Sequence, residues 1–526
     1  MYPTRRTSLD SALSRRALLG GLSALGLATA VGCRSAAEEA DKGGAGGETA
    51  KPVRGGTLVT TVNAPPVPAA YFTGRPGNIF WCRNVLETLL LIDTDGKSQP
   101  LLATSWSLSN GNKTFTAKLR EGVTFHSGRP FTADDVVFSL ERNIAGDGLA
   151  SLNGAMKGWQ VKATGRHEVT ITSPRPLQET VHSILDATPI IDRESQKGLE
   201  DGSKVVGTGP FVWSGYQAGT QITMKRNASY WADGLPYLDS IEITVIADST
   251  AQLAALRSNR VQIANGLSVQ DAKTIVDDKT FHLDLNKGLV YGMGLTVDQA
   301  PFDNVDVRRA VGYAINRERI NKQVMGGLAT TASLPWGKDA TGYPADLAGT
   351  YTYDPDRARQ LIKSAGATGA RFRMALHNLP IPRQIYEIIA RDLSDVGLKP
   401  SPLELSIADF EPRRAAGKLG PAFLTWTAVG DMPPALMLDA LPELRPAKNA
   451  EHYTDKEYQR LAQALIDSPD ENATKSRLRS LSQKLLDDAF FLPYSVSPST
   501  SVSVGSLRGV VTGRYGRTMR AAYLAK

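Results

Sequence analysis

Residues 240–263 change their hydrophobic period twice within one short stretch. Residues 241–245 alternate between branched apolar and polar side chains, which is typical of a strand with one buried face. Leucines at helical spacing follow Ser249, which we expect to cap a short helix, and residues 261–263 return to a strand. A strand–helix–strand unit of this kind predicts an α/β layer.

The helical pattern becomes longer and more regular after residue 303. The apolar positions that share one helix face there are Val307, Ala310, Val311, Ala314 and Ile315. Asp354 and Pro355 have the residue types of a helix N-terminus, and Gly366 is placed to end that helix. Further helices are predicted over residues 385–396, 458–465 and 478–485, and the last strand near residues 490–492.

The stretch 119–142 combines a strand, a turn and a helix start. Gly128 supplies the positive φ that the turn after residue 126 needs. Thr132 and Asp135 have the spacing of a capping box, in which each side chain accepts the other residue's backbone N–H. The helix that follows has one apolar face, so we expect this stretch to hold a fixed geometry.

Composition is that of a soluble globular protein with more than one core. The chain has 526 residues, for which about three domains is the usual expectation. The formal net charge is +7, and residues 1–32 carry four arginines and one aspartate, which accounts for +3 of it. No block of like charges occurs elsewhere, which argues against a nucleic-acid-binding surface.

The N-terminal segment reads as an export signal with a lipid attachment site. Arg15 and Arg16 precede an uncharged run that is too short for a stable membrane span, and the pair suggests twin-arginine export. The run ends in Ala-Val-Gly before Cys33, which resembles a lipobox. Residues 34–53 are small and polar, so we expect a flexible tether. Cys82 is then left without a disulfide partner, and we expect it to be buried.

Catalytic and metal-binding patterns were sought among the histidines, glycines and carboxylates. None of the six histidines has a metal-ligand spacing, and no nucleophile elbow or phosphate-binding loop is present. Residues 207–211 read as a tight turn, and His126 as a turn residue with a local hydrogen bond. Arg308 and Arg309 read as solvated or ion-paired. We therefore expect no catalytic residue, no metal and no cofactor.

Short motifs occur in a characteristic order from residue 54 onward. They are RGGTL at 54–58, VLETLL at 85–90, PLLATSW at 100–106, the stretch 119–142, GTGPF at 207–211, NASYW at 227–231 and PFDNVDVRRA at 301–310. In this order the chain resembles the bacterial extracellular solute-binding proteins that serve peptide, nickel and related ABC importers. The resemblance covers residues 54–526.

The resemblance implies a two-lobed α/β fold of the periplasmic-binding-protein type, with mixed sheets flanked by helices. Lobe one would combine residues 54–80, 200–288 and 490–526. An extra domain, residues 81–199, would be inserted into it, and residues 289–489 would form lobe two. The hinge would lie where the chain crosses between lobes, near residues 287–291 and 490–494.

The resemblance also implies a function and partners. We expect a monomeric, lipid-anchored substrate-binding subunit on the outer face of the cell membrane, which captures a peptide or peptide-like solute and docks on an ABC permease. The alternatives are a binder of a metal chelate or other small molecule, an exported lipid-tethered hydrolase, and a receptor that senses a ligand without transport.

Residues 423–434 carry the part of the resemblance that indicates which ligand is bound. Trp426 and Ala428 match a family motif in which an aspartate pairs with the α-ammonium of a bound peptide. Val429 takes the position of that aspartate, and valine cannot neutralise an ammonium group. Asp431 could take over that role if the loop is shifted. Peptides with a free amine are therefore placed in doubt.

Three aromatic residues are further ligand candidates. Tyr71 and Phe72 belong to a loop rich in proline and glycine, and loops on a rigid scaffold often carry binding contacts. Tyr291 falls at the expected hinge. The alternative for each is packing in a core.

Overall fold

The structure is a computed structural model, and it describes residues 51–71, 76–147, 150–275, 277–428 and 432–525. Cys33, the export signal and most of the tether lie outside the described residues. Phe72, Val429 and Asp431 also lie outside them.

Strands and helices alternate along most of the chain. The strands are β1 (Thr57–Val62), β2 (Leu90–Ile92), β3 (Ser98–Pro100), β4 (Ala103–Ser109), β5 (Thr114–Leu119), β6 (Gln160–Gly165), β7 (Glu168–Thr172), β8 (Phe211–Gln217), β9 (Gln221–Arg226), β10 (Ser240–Val245), β11 (Ile263–Asn265), β12 (Phe281–Leu295), β13 (Arg371–His377), β14 (Lys399–Leu405), β15 (Ala422–Thr427), β16 (Phe491–Val504), β17 (Leu507–Arg508), β18 (Val511–Gly513), β19 (Gly516–Thr518) and β20 (Tyr523–Leu524). The helices are α1 (Pro76–Val85), α2 (Ala133–Arg142), α3 (Ala150–Asn153), α4 (Val181–Ala187), α5 (Gln196–Asp201), α6 (Ser249–Arg257), α7 (Val269–Lys273), α8 (Val305–Ala314), α9 (Arg317–Gln323), α10 (Pro355–Ser364), α11 (Pro380–Asp395), α12 (Ile407–Ala415), α13 (Pro434–Ala440), α14 (Lys456–Ile466) and α15 (Glu471–Asp488).

One ten-stranded mixed sheet runs through the molecule. Its strand order is β14-β13-β15-β12-β16-β11-β1-β10-β9-β8. The two long strands β12 and β16 pair antiparallel in the middle, with the strands of residues 371–427 on one side and those of residues 57–265 on the other. A separate antiparallel sheet, β4-β5-β7-β6, lies within residues 81–199. The expected α/β class is confirmed.

The strand–helix–strand unit at 240–265 is confirmed, with one correction. β10 and β11 both pair parallel to β1, which lies between them. The helix α6 is capped by Asp248, whose carboxylate accepts the N–H of Ala251, and not by the predicted Ser249. The Ser249 hydroxyl instead accepts the backbone N–H of Ser268, because α7 begins beside it.

The stretch 119–142 has the predicted local geometry. Gly128 has φ +84°, and Thr132 and Asp135 form the capping box at the start of α2. The prediction that His126 makes a local hydrogen bond is wrong, because its partners are more than 80 residues away in the sequence. Its Nδ1 accepts the N–H of Gly207 at 3.3 Å, and its Nε2 donates to the carbonyl of Gly209 at 2.9 Å. Burial lowers the pKa of His126 to about 4, which fits this neutral tautomer.

Glu87 connects three of the sequence motifs. Its buried carboxylate accepts hydrogen bonds from Thr208 at 2.9 Å, Tyr230 at 2.7 Å and the indole N–H of Trp231 at 2.8 Å. Burial raises its pKa, and these three donors only partly offset that effect. The buried carboxylate of Glu87 thus connects the motifs at 85–90, 207–211 and 227–231 by hydrogen bonds.

The helices after residue 303 follow the predicted faces. The residues named above for α8 are buried, Asp354 caps α10 through the N–H of Arg357, and Gly366 has φ +67°. The prediction that the Arg308 side chain is solvated or ion-paired is wrong. It is buried and donates to the backbone carbonyls of Phe302 and Asp488.

The last part of the chain contains more strand than the sequence predicts. The strand expected near residues 490–492 is β16, but it runs on to Val504, and four short strands follow it. Because β16 lies between β12 and β11, it forms the second long strand at the centre of the sheet.

Two large groups of buried apolar side chains stabilise the molecule. One lies around β1, β10 and the C-terminal strands, and the other is continuous through the inserted segment and residues 289–489. Cys82 is buried in the first group and carries a free thiol, as expected. The division into lobes at the stated boundaries stays a prediction.

Candidate functional site

The C-terminal end of β15 reaches the centre of the large sheet. Trp426 lies opposite Tyr291 of β12 in the antiparallel register, and Thr427 lies opposite Val290. The ring of Tyr291 is 6.5 Å from that of Tyr494 on β16. Burial raises the pKa of Tyr291 to about 12, so its hydroxyl stays protonated at neutral pH. β15 therefore ends where the two long central strands pair.

Register shifts interrupt the pairing of β12 with β16 at the same place. They fall between Asn286 and Leu289 and between Tyr291 and Gly292. A bulge of this kind bends a strand and increases its local twist. The irregular pairing coincides with the crossings at which the sequence predicts a hinge.

A partly buried aromatic surface is formed by Trp426 and the residues beneath it. The ring of His377, at the end of β13, lies 5.9 Å from the Trp426 ring and 3.9 Å from that of Phe410. His377 is buried, and its Nε2 lies 3.1 Å from the carboxylate of Glu411. Trp426 is half-buried, so one part of its ring is accessible.

Behind Trp426 lies a group of paired charges that we call the Arg414 cluster: His377, Glu411, Arg414 and Glu443. The guanidinium of Arg414 donates from Nε and Nη2 to both carboxylate oxygens of Glu443, at 2.5 and 3.0 Å. Its Nη1 donates to Glu411 at 3.0 Å, and Nη2 also donates to the hydroxyl of Thr427 at 2.7 Å. The cluster therefore touches the last residue of β15.

The electrostatics of this cluster follow from burial and pairing. Burial alone would lower the pKa of Arg414, but the carboxylates of Glu443 and Glu411 outweigh it and raise that pKa. Glu451 is fully buried nearby, and neither of its carboxylate oxygens has a hydrogen-bond partner among the described residues. Burial and the charge of Glu443 raise the pKa of Glu451 well above its ordinary value, which favours its protonated form.

A cavity of about 310 Å³ lies next to the loop that follows β15. Asp95 and Glu179 line it from residues 81–199, and Arg514 lines it from the C-terminal segment. Met432 of that loop and Asp339 line it from residues 289–489. Burial raises the pKa of Glu179. The cavity is therefore a meeting point of three parts of the chain.

The residues predicted from sequence are distributed unevenly around this region. Trp426 and Tyr291 are brought together by the pairing of β15 with β12, and Ala428 is exposed at the start of the following loop. Tyr71 is buried with the apolar side chains around β1, where its carbonyl lies 3.6 Å from the Cys82 sulfur. Phe72, Val429 and Asp431 lie outside the described residues. The ligand-binding roles of all of them stay predictions.

Sequence reasoning did not find His377, Arg414, Glu443 or Thr427. His377 and Arg414 lie 37 residues apart, and Glu443 follows 29 residues later. Only the pair Glu411–Arg414, three apart on α12, has a spacing that sequence could have indicated.

The described part of the chain contains neither a metal-binding cluster nor a membrane-spanning helix. No group of three or more His, Cys, Asp or Glu side chains there is arranged to hold a metal ion. Within the described ranges, none of the helices has the length and hydropathy needed to cross a membrane.

Two characterised binding proteins are similar to this chain in sequence. Heme-binding protein A of Haemophilus influenzae is 29% identical over 363 residues, which cover 62% of this chain and 66% of that protein. The glutathione-binding protein GsiB of Escherichia coli K12 is 29% identical over 331 residues, which cover 60% and 63%. This chain thus spans less than two thirds of the length of these relatives.

The fold matches that of a solved binding protein. The periplasmic binding protein DppA of Helicobacter pylori, in complex with the peptide STSA, superposes with a TM-score of 0.74 at 22% identity. The match covers 90% of this chain and 99% of that one. The expected two-lobed fold is confirmed.

A family model decides the classification. The model described as "Bacterial extracellular solute-binding proteins, family 5 Middle" matches residues 97–442, about two thirds of the chain. The chain therefore belongs to the bacterial extracellular solute-binding proteins of family 5.

Proposed function

We propose that this chain is the lipid-anchored substrate-binding subunit of an ABC importer. It captures a peptide or peptide-like solute between its two lobes and delivers it to a permease in the membrane. Membership of family 5 supports binding and release, rather than bond breaking, as its work. The relatives named for heme and glutathione binding support a small organic solute as cargo.

The central strand pair is the observation that carries this proposal. β12 and β16 join the two halves of the sheet, and their register shifts lie beside Trp426 and Tyr291. Bending at a few residues between two lobes is a common route to closure around a ligand. A solute held against Trp426 would therefore contact the part of the molecule that bends.

The charges around Trp426 bear on the class of solute. Arg414 is paired with both Glu443 and Glu411, so its guanidinium is already engaged behind Trp426 and is not left for an anionic group of the ligand. Val429 replaces an amine-pairing aspartate in the adjoining loop. This replacement favours an uncharged or N-blocked group at this end of the ligand. A metal chelate or another amphipathic small molecule is the alternative within the same class.

The N-terminal segment supports the location. Cys33 after a lipobox-like sequence would carry the lipid, and Arg15 and Arg16 would direct export by the twin-arginine route. The protein would then be held on the outer face of the cell membrane as a monomer. Two acyl chains are needed for stable attachment, since a single chain binds a membrane only marginally.

The direct test is to identify the solute. The protein is purified from its native host without denaturation, and molecules that it retains are identified by mass spectrometry. A Trp426→Ala variant purified in parallel is the control, and it should retain much less of the same compound. Recovery of equal amounts from both proteins, or of no compound from either, would count against the proposed site.

Two other classes of function give different results in simple assays. A lipid-tethered hydrolase would convert the recovered compound into products on prolonged incubation, whereas a transport subunit would return it unchanged. A ligand-sensing receptor would leave uptake of the compound intact in a deletion strain. Loss of uptake in that strain supports the importer.

The charge of the ligand is tested with one peptide in two forms. Without a partner for its ammonium group, free trialanine should bind more weakly than N-acetyl-trialanine, because an unpaired buried charge is costly. Calorimetry on the wild type and on Asp431→Asn separates the two possibilities for the loop. Tighter binding of the free peptide that is abolished by Asp431→Asn would restore an ordinary peptide site and refute the argument from Val429.

A further inference from the structure

The end of β15 is fixed from the side opposite its accessible face. Thr427 accepts a hydrogen bond from Arg414, and Trp426 rests against the ring of His377. Both supporting side chains are buried, and both contact the carboxylate of Glu411. Trp426 and Thr427 are therefore both contacted by side chains that pair with Glu411.

We propose that Arg414 and Glu443 are positioning residues for the ligand site. Through Thr427 and His377 they hold Trp426 and the exposed Ala428 in the arrangement that binds the solute. This inference rests on the proposed function, because it assigns these residues a role in that same site.

The geometry of the guanidinium makes it suited to this role. Arg414 makes two parallel hydrogen bonds to the carboxylate of Glu443, which fix the plane of its side chain. With that plane fixed, Nη2 points at Thr427 and Nη1 at Glu411. A lysine could supply the charge but not these directed contacts.

The contact with Arg414 orders the end of β15 before the ligand binds. Thr427 is the last residue of β15 and, among the described strands, is paired only with β12, and its neighbour Ala428 is exposed, so the hydrogen bond from Arg414 adds order on the side that β13 leaves open. A site that is already ordered loses less conformational entropy when the ligand binds. Removing the hydrogen bond to Thr427 should therefore weaken ligand binding while Arg414 and Glu443 stay paired.

Three variants of the full chain separate positioning from simple stabilisation. Thr427→Val removes the hydroxyl and keeps the volume, Thr427→Ser keeps the hydroxyl, and Arg414→Lys keeps the charge. Arg383→Lys is the matched control, because Arg383 forms an exposed pair with Glu404 in the same part of the chain.

The first readout does not depend on a ligand. The chain is labelled with 5-fluorotryptophan, and the fluorine resonance of Trp426 is assigned among those of the seven tryptophans with Trp426→Phe. Thr427→Val and Arg414→Lys should shift or broaden this resonance and leave the other six unchanged. Thr427→Ser and Arg383→Lys should match the wild type.

The second readout is affinity for trialanine and N-acetyl-trialanine by calorimetry. Thr427→Val should weaken binding of the better probe by a few-fold and by no more than about 20-fold, the limit set by the free energy of one hydrogen bond, and Thr427→Ser should restore it. An unchanged Trp426 resonance and unchanged affinity in both Thr427→Val and Arg414→Lys would overturn the inference. If neither probe binds the wild type, the peptide assignment fails, and the fluorine spectrum alone decides whether Arg414 positions Trp426.

Discussion

Replacing Arg129 tests whether the stretch 119–142 is held by buried charge rather than by its helix cap alone. Arg129 donates to Asp135 at 2.5 and 3.2 Å and to Asp192 at 2.6 and 2.9 Å. Both carboxylates are buried, and the Arg129 side chain is only 16% exposed. Arg129→Met keeps most of the apolar stem and removes the main cation of both buried carboxylates, leaving Asp135 with the more distant Arg193 at 3.9 Å.

The expected cost can be worked from these contacts. Removing one partner of a buried ion pair costs about 3–5 kcal/mol, and the partial exposure of Arg129 places it near the lower end. The guanidinium also lies 4.7 Å from the centre of the Phe125 ring, and loss of that contact adds about 0.5–1 kcal/mol. We therefore expect Arg129→Met to lower the local stability by about 3–4 kcal/mol.

Hydrogen exchange followed by mass spectrometry measures that local stability directly. A single unfolding free energy is a poor measure for a chain of several domains. Peptides from residues 119–142 and 190–196 should exchange more than 100-fold faster in the variant, since each 1.4 kcal/mol is tenfold. Arg383→Met, at an exposed pair, should change nothing measurable. A change below fivefold in Arg129→Met would refute the assignment of stability to this buried cluster.

The same contacts predict a pH dependence with a defined sign. Burial would raise the pKa of Asp192, but hydrogen bonds from the N–H of Glu194 and from Arg129, Ser195 and Ser127 lower it overall. A carboxyl with a lowered folded pKa contributes stability above its unfolded pKa and loses it as pH falls through the folded value. In Arg129→Met the pKa of Asp192 rises, so protection of residues 190–196 should be lost at a higher pH than in the wild type.

Three other perturbations test separate parts of the molecule. Glu87→Ala leaves three donors around Glu87 unpaired and should lower local stability by about 3 kcal/mol, seen as faster hydrogen exchange in peptides from residues 85–90, 207–211 and 227–231, whereas Glu121→Ala, at an exposed side chain, should not. Cys33→Ala should release the protein from the membrane fraction, and sedimentation like the wild type would contradict the lipid anchor. Small-angle scattering should show compaction when the recovered solute is added, and an unchanged radius of gyration at saturation would contradict closure about the central strands.

Local elements could be predicted from the sequence where a short-range rule decides the geometry. The helix face from Val307 to Ile315, the cap at Asp354 and the positive φ of Gly128 each depend on residues within a few positions of one another. The cap of α6 was assigned one residue too late, because Asp248 and Ser249 are both good capping residues and only the contact of Ser249 with α7 separates them.

β16 could not be recognised at its full length because its polar residues are buried. Serines occupy every second position from 495 to 503, a pattern that predicts an exposed strand face. In the fold, however, β16 is a central strand, and Ser501 donates to Asn265 of the adjacent β11 at 2.8 Å. This hydrogen bond between central strands offsets the cost of burying the Ser501 hydroxyl.

The candidate site was predictable only where a motif marks it. Trp426 could be chosen because its neighbours match a family pattern, and Tyr291 because it falls at an expected crossing. Arg414 and Glu443 carry no such signal, since an ion pair between residues 29 apart is formed by the tertiary fold alone. Tyr71 is an aromatic residue in a proline- and glycine-rich loop that is buried around β1, and its ligand-binding role stays a prediction.

Residues 81–199 contact the rest of the molecule on two sides. On one side His126 bonds to Gly207 and Gly209, and the buried Glu87 bonds to Tyr230. On the other side an Arg175–Asp439 pair at 3.7 Å and a hydrogen bond from the buried Thr474 to Glu179 at 3.1 Å connect the segment to residues 289–489. The apolar group that fills the segment also continues through residues 289–489, and apolar burial of this extent outweighs partly exposed polar contacts. If the molecule opens about β12 and β16, residues 81–199 therefore have to break buried contacts on one of these two sides.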